Sequence, residues 1–308
     1  DGETVIVPGI MEHVERAGVH SGDSIAVYPP HHLSEELKEK AVEYTEKISR
    51  ALNVKGVVNI QYVVSEGEIY VIEVNPRSSR TIPYLSKVTG VEMVELATKA
   101  MLGQNLKKLG WKSGMVTEKD HVAVKVPVFS FSKLSQVDTN LGPEMKSTGE
   151  VLGLADSYEK ALYKGLIGAG LEIPREGTIL ATIADKDKDE AVEYIKDFAE
   201  LGFNIAATEG TAAALREVGL KADIVKKIGE GSPDSLELIS DDKIDLVINT
   251  LTKGKIPERD GFKIRRSAVE MGIPCLTSLD TTKAMIKVLK EIEHGERIEY
   301  KALQDYVK

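Results

Sequence analysis

The sequence predicts an α/β chain in two parts: an α+β portion built on an antiparallel sheet, then a doubly wound parallel-sheet domain. Three observations carry this reading. Residues 57–64 and 69–74 are β-branched, apolar runs on either side of Ser65-Glu66-Gly67-Glu68, the pattern of an antiparallel hairpin with a polar turn. Beyond Thr178, short apolar runs at 179–184, 204–207, 223–226, 246–249 and 274–276 alternate with helical stretches at 188–201, 210–218, 233–240, 259–271 and 280–293. That alternation implies a parallel sheet covered on both faces, with ligands at the carboxyl ends of its strands. Between the two parts, Gly168-Ala169-Gly170 and Pro174-Arg175-Glu176-Gly177 supply a break. The expected boundaries are 1–155, a connecting helix and linker at 156–177, and 178–308.

In chain order, residues 4–10 read as a strand and 11–24 as a connection holding His13, Glu15, His20, Ser21 and Asp23. Ser34 is an N-cap that opens a helix with apolar residues at helical spacing through Leu52. Residues 84–88 and 91–101 read as short helices, with Gly103 as the stop. A polar stretch at 107–119 precedes a strand at 121–131, a turn at 141–145 and the connecting helix at 157–167.

The chemistry concentrates after the hairpin's second strand. Glu73 and Asn75 are two apart on an extended strand, so they share a face, and Pro76 stops the ladder where they point. A carboxylate and a carboxamide offer oxygen ligands of the kind Mg²⁺ takes, and Gln61 on the partner strand faces the same position. Arg77 and Arg80 follow, two guanidinium forks suited to the charge of a transferring phosphoryl group. Taken singly, Glu73 or Asn75 reads equally well as a turn cap. In the second part, Thr208-Glu209-Gly210-Thr211 stands between a strand and a helix, where a glycine admits a ligand and a helix N-terminus favours an anion. Asn249-Thr250 ends another strand, and Lys188 and Lys227 reach the same side. For Thr208 alone, N-capping is an equal alternative.

Composition narrows the classes. With 49 acidic against 40 basic residues the net charge is −9, which argues against a nucleic-acid groove or an anionic membrane surface. The single cysteine, Cys275, forms no intrachain disulfide and suits a reducing compartment, and no apolar run is long enough to span a bilayer. The expected location is the cytoplasm. The chain opens at Asp1-Gly2 without a signal peptide, and is read as a fragment of a longer protein.

The string Glu73-Val-Asn-Pro-Arg-Ser-Ser-Arg80-Thr resembles the metal-binding strand of the ATP-grasp ligases. Together with residues 9–24 and 141–151 it resembles the second synthetase half of the carbamoyl phosphate synthetase large subunits, over essentially the whole chain. The resemblance implies ATP and Mg²⁺ or Mn²⁺ as cofactors, with K⁺ a further cation, and Gly18, Val19, His20 and Ser21 at the nucleotide together with Gln61 and Glu73. It implies Gln61, Glu73 and Asn75 as metal ligands, with Arg77 and Arg80 neutralising the moving phosphoryl group. It further implies a C-terminal domain of methylglyoxal-synthase fold that holds a nucleotide monophosphate such as UMP through Lys188, Thr208, Thr211, Lys227 and Asn249. The catalytic aspartate loop of methylglyoxal synthases has no counterpart in residues 251–255, so binding without chemistry is expected there. Glu15 and Asp23 match carboxylates that grip ornithine in responsive relatives, but the third position is Val126, and weak or absent ornithine response is expected. The implied partners are a glutaminase small subunit and the N-terminal remainder of the large subunit, in an oligomer of unspecified size, and the implied pathways are pyrimidine and arginine biosynthesis. The isolated chain is expected to be inactive in synthesis. Two rivals stand beside this reading: a biotin-dependent carboxylase, against which the Thr-Glu-Gly-Thr domain argues, and a module that only binds an effector.

Overall fold

The computed structural model describes residues 1–134, 137–251, 260–293 and 298–306. Its first unit contains strands β1 (Ile6–Val7), β2 (Glu12–His13), β3 (Ala26–Tyr28), β4 (Asn59–Ser65), β5 (Glu68–Asn75), β6 (Gly114–Met115), β7 (Val122–Val128) and β8 (Gly149–Ala155). Its helices are α1 (Glu35–Ala51), α2 (Thr81–Thr89), α3 (Met93–Met101) and α4 (Tyr158–Gly168). β4 and β5 form the expected antiparallel hairpin, with Ser65 opposite Glu68. Ser34 caps α1 by accepting from Leu37 N at 3.3 Å. The helix covers one face of the hairpin, where the Tyr62 hydroxyl lies 2.8 Å from Thr45 Oγ1 and 3.2 Å from the Ala41 carbonyl.

Several elements differ from the sequence expectation, each for a local reason. The strand expected at 4–10 shortens to Ile6–Val7, paired in parallel with β6, because Pro8 has no N–H for a ladder. The helix expected from Tyr84 begins at Thr81, since Pro83 falls in the first turn, where a missing N–H costs no helical bond. The connection expected after residue 11 contains β2 and leads directly into β3, the inner strand of a four-stranded antiparallel sheet ordered β2-β3-β7-β8. β3 is three residues long and wholly buried, too short for a periodicity to register. β8 was not expected as a strand, because Gly149 and Gly153 dilute its pattern. Gly153 has a packing reason: a Cβ there would lie 1.9 Å from the Ala161 carbonyl oxygen of α4. Gly165 of α4 makes a close approach to the neighbouring strand β7, where a Cβ would lie 2.6 Å from Val126 Cγ2.

The second unit contains β9 (Thr178–Thr182), β10 (Asn204–Thr208), β11 (Asp223–Val225), β12 (Leu246–Asn249) and β13 (Cys275–Leu276). Helices α5 (Lys188–Glu200), α6 (Glu209–Glu217), α7 (Ser235–Ser240), α8 (Asp260–Glu270) and α9 (Leu279–Glu293) alternate with them. All four pairings are parallel, in the order β11-β10-β9-β12-β13. The chain builds outward from β9 to β11, then returns to the other side of β9 for β12 and β13. The switch point, where an open α/β sheet leaves a crevice, therefore lies between β9 and β12 at their carboxyl ends. β9 ends two residues before the expected position because the amides of Ile183 and Ala184 leave the ladder for Thr211 Oγ1 and Thr250 Oγ1, at 3.1 and 2.8 Å.

The expected α/β class is the observed one: an antiparallel sheet in the first unit and a five-stranded parallel sheet in the second. The two share a core. Val124, Val126, Leu162 and Leu166 belong to the same buried cluster as Ile179, Phe198 and Leu289. Fully burying each such side chain contributes about 1.5–3 kcal/mol, so this cluster ties the units together through α4. Among the described residues, no helix is long and apolar enough to cross a membrane.

Candidate functional site

Cross-strand register assembles the first site. Gln61 stands opposite Glu73 and Asn59 opposite Asn75, so all four leave the same face of the hairpin, next to a bulge at Gln61/Tyr62. Gln61 Nε2 and Asn75 Nδ2 both donate to Glu73 Oε1, each at 2.7 Å. One carboxylate with two carboxamides would supply oxygen ligands to a hard cation once the amides turn their oxygens inward, and it leaves room in the shell for phosphate oxygens. Among the described residues no group of three His, Cys, Asp or Glu side chains offers a stronger metal site. Glu73 is exposed, so its carboxylate faces the open side of the hairpin.

A second layer faces this set from residues 18–24. Ser21 Oγ accepts from Gln61 Nε2 at 2.8 Å, which joins the loop expected at the nucleotide to the residues expected at the metal. His20 is held by the backbone of Gly22 and Gly142, with Nδ1 accepting from Gly22 N at 3.0 Å and its amide donating to the Gly142 carbonyl at 2.8 Å. Gly18 has a φ of 115°, a conformation that favours glycine, and a Cβ there would meet open space. Val19 is half-buried beside it. Arg80, at the N-cap of α2, donates to Ser147 Oγ at 2.7 Å and to the Gly22 carbonyl at 3.3 Å. Arg77 is exposed and donates to the Ser78 carbonyl, so Arg80 is held in the loop layer and Arg77 is not.

Glu15 and Asp23 are both buried, with different duties. Asp23 accepts from the amides of Lys146 and Ser147, each at 2.8 Å, and so fastens the 20–24 loop to the segment before β8. Glu15 accepts from Ile25 N at 2.8 Å and faces Thr281 of α9 at 3.4 Å. Burial pushes its carboxyl up to about 7, against the opposing influence of backbone hydrogen bonds and Lys125. Val126 lies in the core against Gly165, so it offers no charge to this region.

The second site sits at the switch point. Thr208 occupies the N-cap of α6 without a side-chain capping bond, and its hydroxyl lies 3.4 Å from that of Thr211. Lys188 Nζ pairs with Asp185 at 2.6 Å and lies 3.1 Å from where a Cβ on Gly210 would stand, so the glycine makes space for an ammonium at the helix N-terminus. Asn249 Nδ2 donates to Thr182 Oγ1 at 2.6 Å across β12 and β9. Lys188, Thr208 and Thr211 therefore converge, with Asn249 on the adjoining strand end. Lys227 lies two residues beyond β11, exposed and without an ion pair among the described residues. Residues 252–255 of the stretch compared with the aspartate loop lie outside the described residues, as does residue 259 of an expected helix.

Sequence reasoning missed Asp138, Ser147 and Arg265. Arg265 donates to Asn249 Oδ1 at 2.6 Å and to both oxygens of Asp138, yet in sequence it is one more charge on an amphipathic helix. The only available signal was its place on the apolar side of α8, beside Ile264 and Ala268.

Comparisons with known proteins give the class first. Residues 1–109 match the family model described as the carbamoyl-phosphate synthase L chain ATP binding domain, and residues 190–277 match the MGS-like domain. An ATP-binding unit followed by an MGS-like unit is the same order read from the motifs. The chain is thus similar to the C-terminal part of the carbamoyl phosphate synthase large chain. Among solved structures, the biotin carboxylase domain of a single-chain bacterial carboxylase is 14% identical with a TM-score of 0.43, over 56% of this chain and 45% of that one. A single-chain, multi-domain long-chain acyl-CoA carboxylase is 16% identical with a TM-score of 0.36, over 46% of this chain and 18% of its own. The chain thus spans less than half the length of either.

Proposed function

We propose that this chain supplies the distal part of an ATP-grasp active site that phosphorylates carbamate to carbamoyl phosphate, together with a regulatory unit that binds a nucleotide monophosphate such as UMP. The observation that carries the proposal is the continuous hydrogen-bonded set Ser21–Gln61–Glu73–Asn75, which joins nucleotide-loop and metal-strand residues on one open face. Mg²⁺ or Mn²⁺ held by Glu73, Gln61 and Asn75 would offset phosphate charge, the main need of phosphoryl transfer. Arg80, fixed by Ser147 and Gly22, presents a guanidinium in a set orientation. Arg77, exposed and bonded only to the adjacent Ser78 carbonyl, closes on the phosphoryl group when substrate arrives. His20, held by the backbone groups of Gly22 and Gly142, and Ser21, held by the Gln61 side chain, line the nucleotide side.

Glutamine-derived ammonia, a glutaminase small subunit and the N-terminal remainder of a large subunit complete the reaction in this proposal, in the cytoplasm and in the pyrimidine and arginine pathways. The 308-residue chain alone binds ligands without making product. The convergence of Lys188, Thr208 and Thr211 at the α6 N-terminus supports the regulatory half, since a phosphate dianion suits a helix N-terminus flanked by hydroxyls and an ammonium. In the full-length enzyme Glu73→Gln is expected to reduce ATP formation from carbamoyl phosphate and ADP at least about 100-fold, while bicarbonate-dependent ATP hydrolysis at the other active site continues. An unchanged reverse rate would refute the metal assignment.

A further inference from the structure

Arg265 is a buried charge that neither site assignment uses. Its side chain is 5% exposed, and its three nitrogens are divided between the two units. Nε and Nη2 donate to the two carboxylate oxygens of Asp138 at 2.8 and 2.6 Å, while Nη1 donates to Asn249 Oδ1 at 2.6 Å. A guanidinium only donates, so the Asn249 atom facing it must be oxygen, and the carboxamide NH₂ is turned to Thr182 Oγ1 at the crevice between β9 and β12. Arg265 therefore sets which way Asn249 addresses a ligand.

On the other side, Asp138 belongs to the segment that braces the phosphoryl site. Its Oδ1 also accepts from Asn140 N at 3.1 Å, and its carbonyl accepts from Lys146 Nζ at 2.9 Å. The next amides, of Lys146 and Ser147, are held by Asp23, and the Ser147 hydroxyl accepts from Arg80. A bidentate, charge-assisted pair at the start of this series is the kind of contact that holds one geometry firmly and is lost as a unit.

We propose that the Asp138–Arg265 pair couples the two units, so that occupancy of the Asn249 crevice by a phosphorylated nucleotide is felt by the segment that positions Arg80. The inference rests on reading the second unit as an effector site. Arg265 acts here as a positioning residue. A ligand acceptor that engages the Asn249 NH₂ moves the carboxamide oxygen relative to Nη1, and the guanidinium plane turns against Asp138 because all three contacts share one rigid fork.

The test uses the 308-residue chain, with UMP affinity measured by calorimetry and hydrogen exchange followed in the 138–147 segment. In the parent, saturating UMP is expected to change exchange at Lys146 and Ser147 at least about fivefold, the lower end of ordinary coupling between sites. Asp138→Asn keeps Arg265 beside Asn249. It is expected to bind UMP within about threefold of the parent, while the UMP-dependent change at Lys146 and Ser147 falls below about twofold. Arg265→Lys, which cannot span both partners, is expected to lose the response and weaken UMP together. A merely structural role would raise exchange equally with and without UMP and leave the response intact. A parent that binds UMP without any response, or an Asp138→Asn chain that retains it, overturns the coupling. A parent that binds no UMP overturns the effector reading, and the coupling with it.

Discussion

The two candidate sites are built in opposite ways. On the hairpin, Glu73 is exposed and its partners are two side-chain amides on the same face of a two-stranded sheet. At the parallel-sheet crevice, Thr211 and Asn249 are 2% and 3% exposed, and each is already bonded to a neighbouring strand, loop or helix. An exposed carboxylate held only by side-chain amides can rearrange around a cation and a polyphosphate. A buried amide and hydroxyl are set in advance, and changing them disturbs the sheet that holds them. The first site is thus suited to chemistry that exchanges ligands each turnover, and the second to recognition of one ligand shape.

The largest expected effect falls where the two regions meet. Gly153→Ala drives a methyl into the α4 backbone, and α4 carries the shared core, so a loss of at least about 3 kcal/mol is expected in denaturant unfolding. Unchanged stability would mean that α4 can move off β8 and that the units are not locked together.

Next in size is the pH dependence of the same junction. Glu15 has a folded carboxyl raised to about 7 from 4.5. The folded state therefore binds its proton more tightly than the unfolded chain does. The resulting stabilisation is complete below about pH 4.5 and is lost as pH rises through about 7, by about 3 kcal/mol as an order of magnitude. Glu15→Gln is expected to flatten stability against pH over this window. A parallel decline in the variant would assign the pH dependence to another group.

Asn249→Ala leaves Arg265 Nη1 and the Thr182 hydroxyl without a partner, and is expected to cost about 1–3 kcal/mol of stability along with UMP affinity. Glu73→Gln, by contrast, is expected to stay within about 0.5 kcal/mol of the parent in stability, because it is an exposed substitution. Its effect should appear in the phosphoryl reaction alone. If Glu73→Gln destabilised as much as Asn249→Ala, the contrast between an open and a preset site would fail.

Much of this was legible in residue order. The hairpin, the face shared by Glu73 and Asn75, the α1 cap at Ser34 and the alternation after Thr178 all depend on neighbours within a few residues, and local sterics and polarity decide them. Gly153, Arg265 and Asp138 could not be read in the same way. A glycine in a strand looks like a weak point until a helix backbone is placed against it, and an arginine on a helix looks solvated until a carboxylate 127 residues away meets it. The short β3 was equally hidden, since three residues carry no period.

The sequence alone therefore determined the α/β class, the order of the two units and the residue types gathered at each strand end, because periodicity, turn residues and strand alternation are properties of adjacent positions. The tertiary structure decided which of those residues are tethered and which are free, the close approach of α4 to β8, and the pairing of Asp138 with Arg265. These depend on distances between segments far apart in the chain, which burial and the directionality of hydrogen bonds settle only when the whole core has formed.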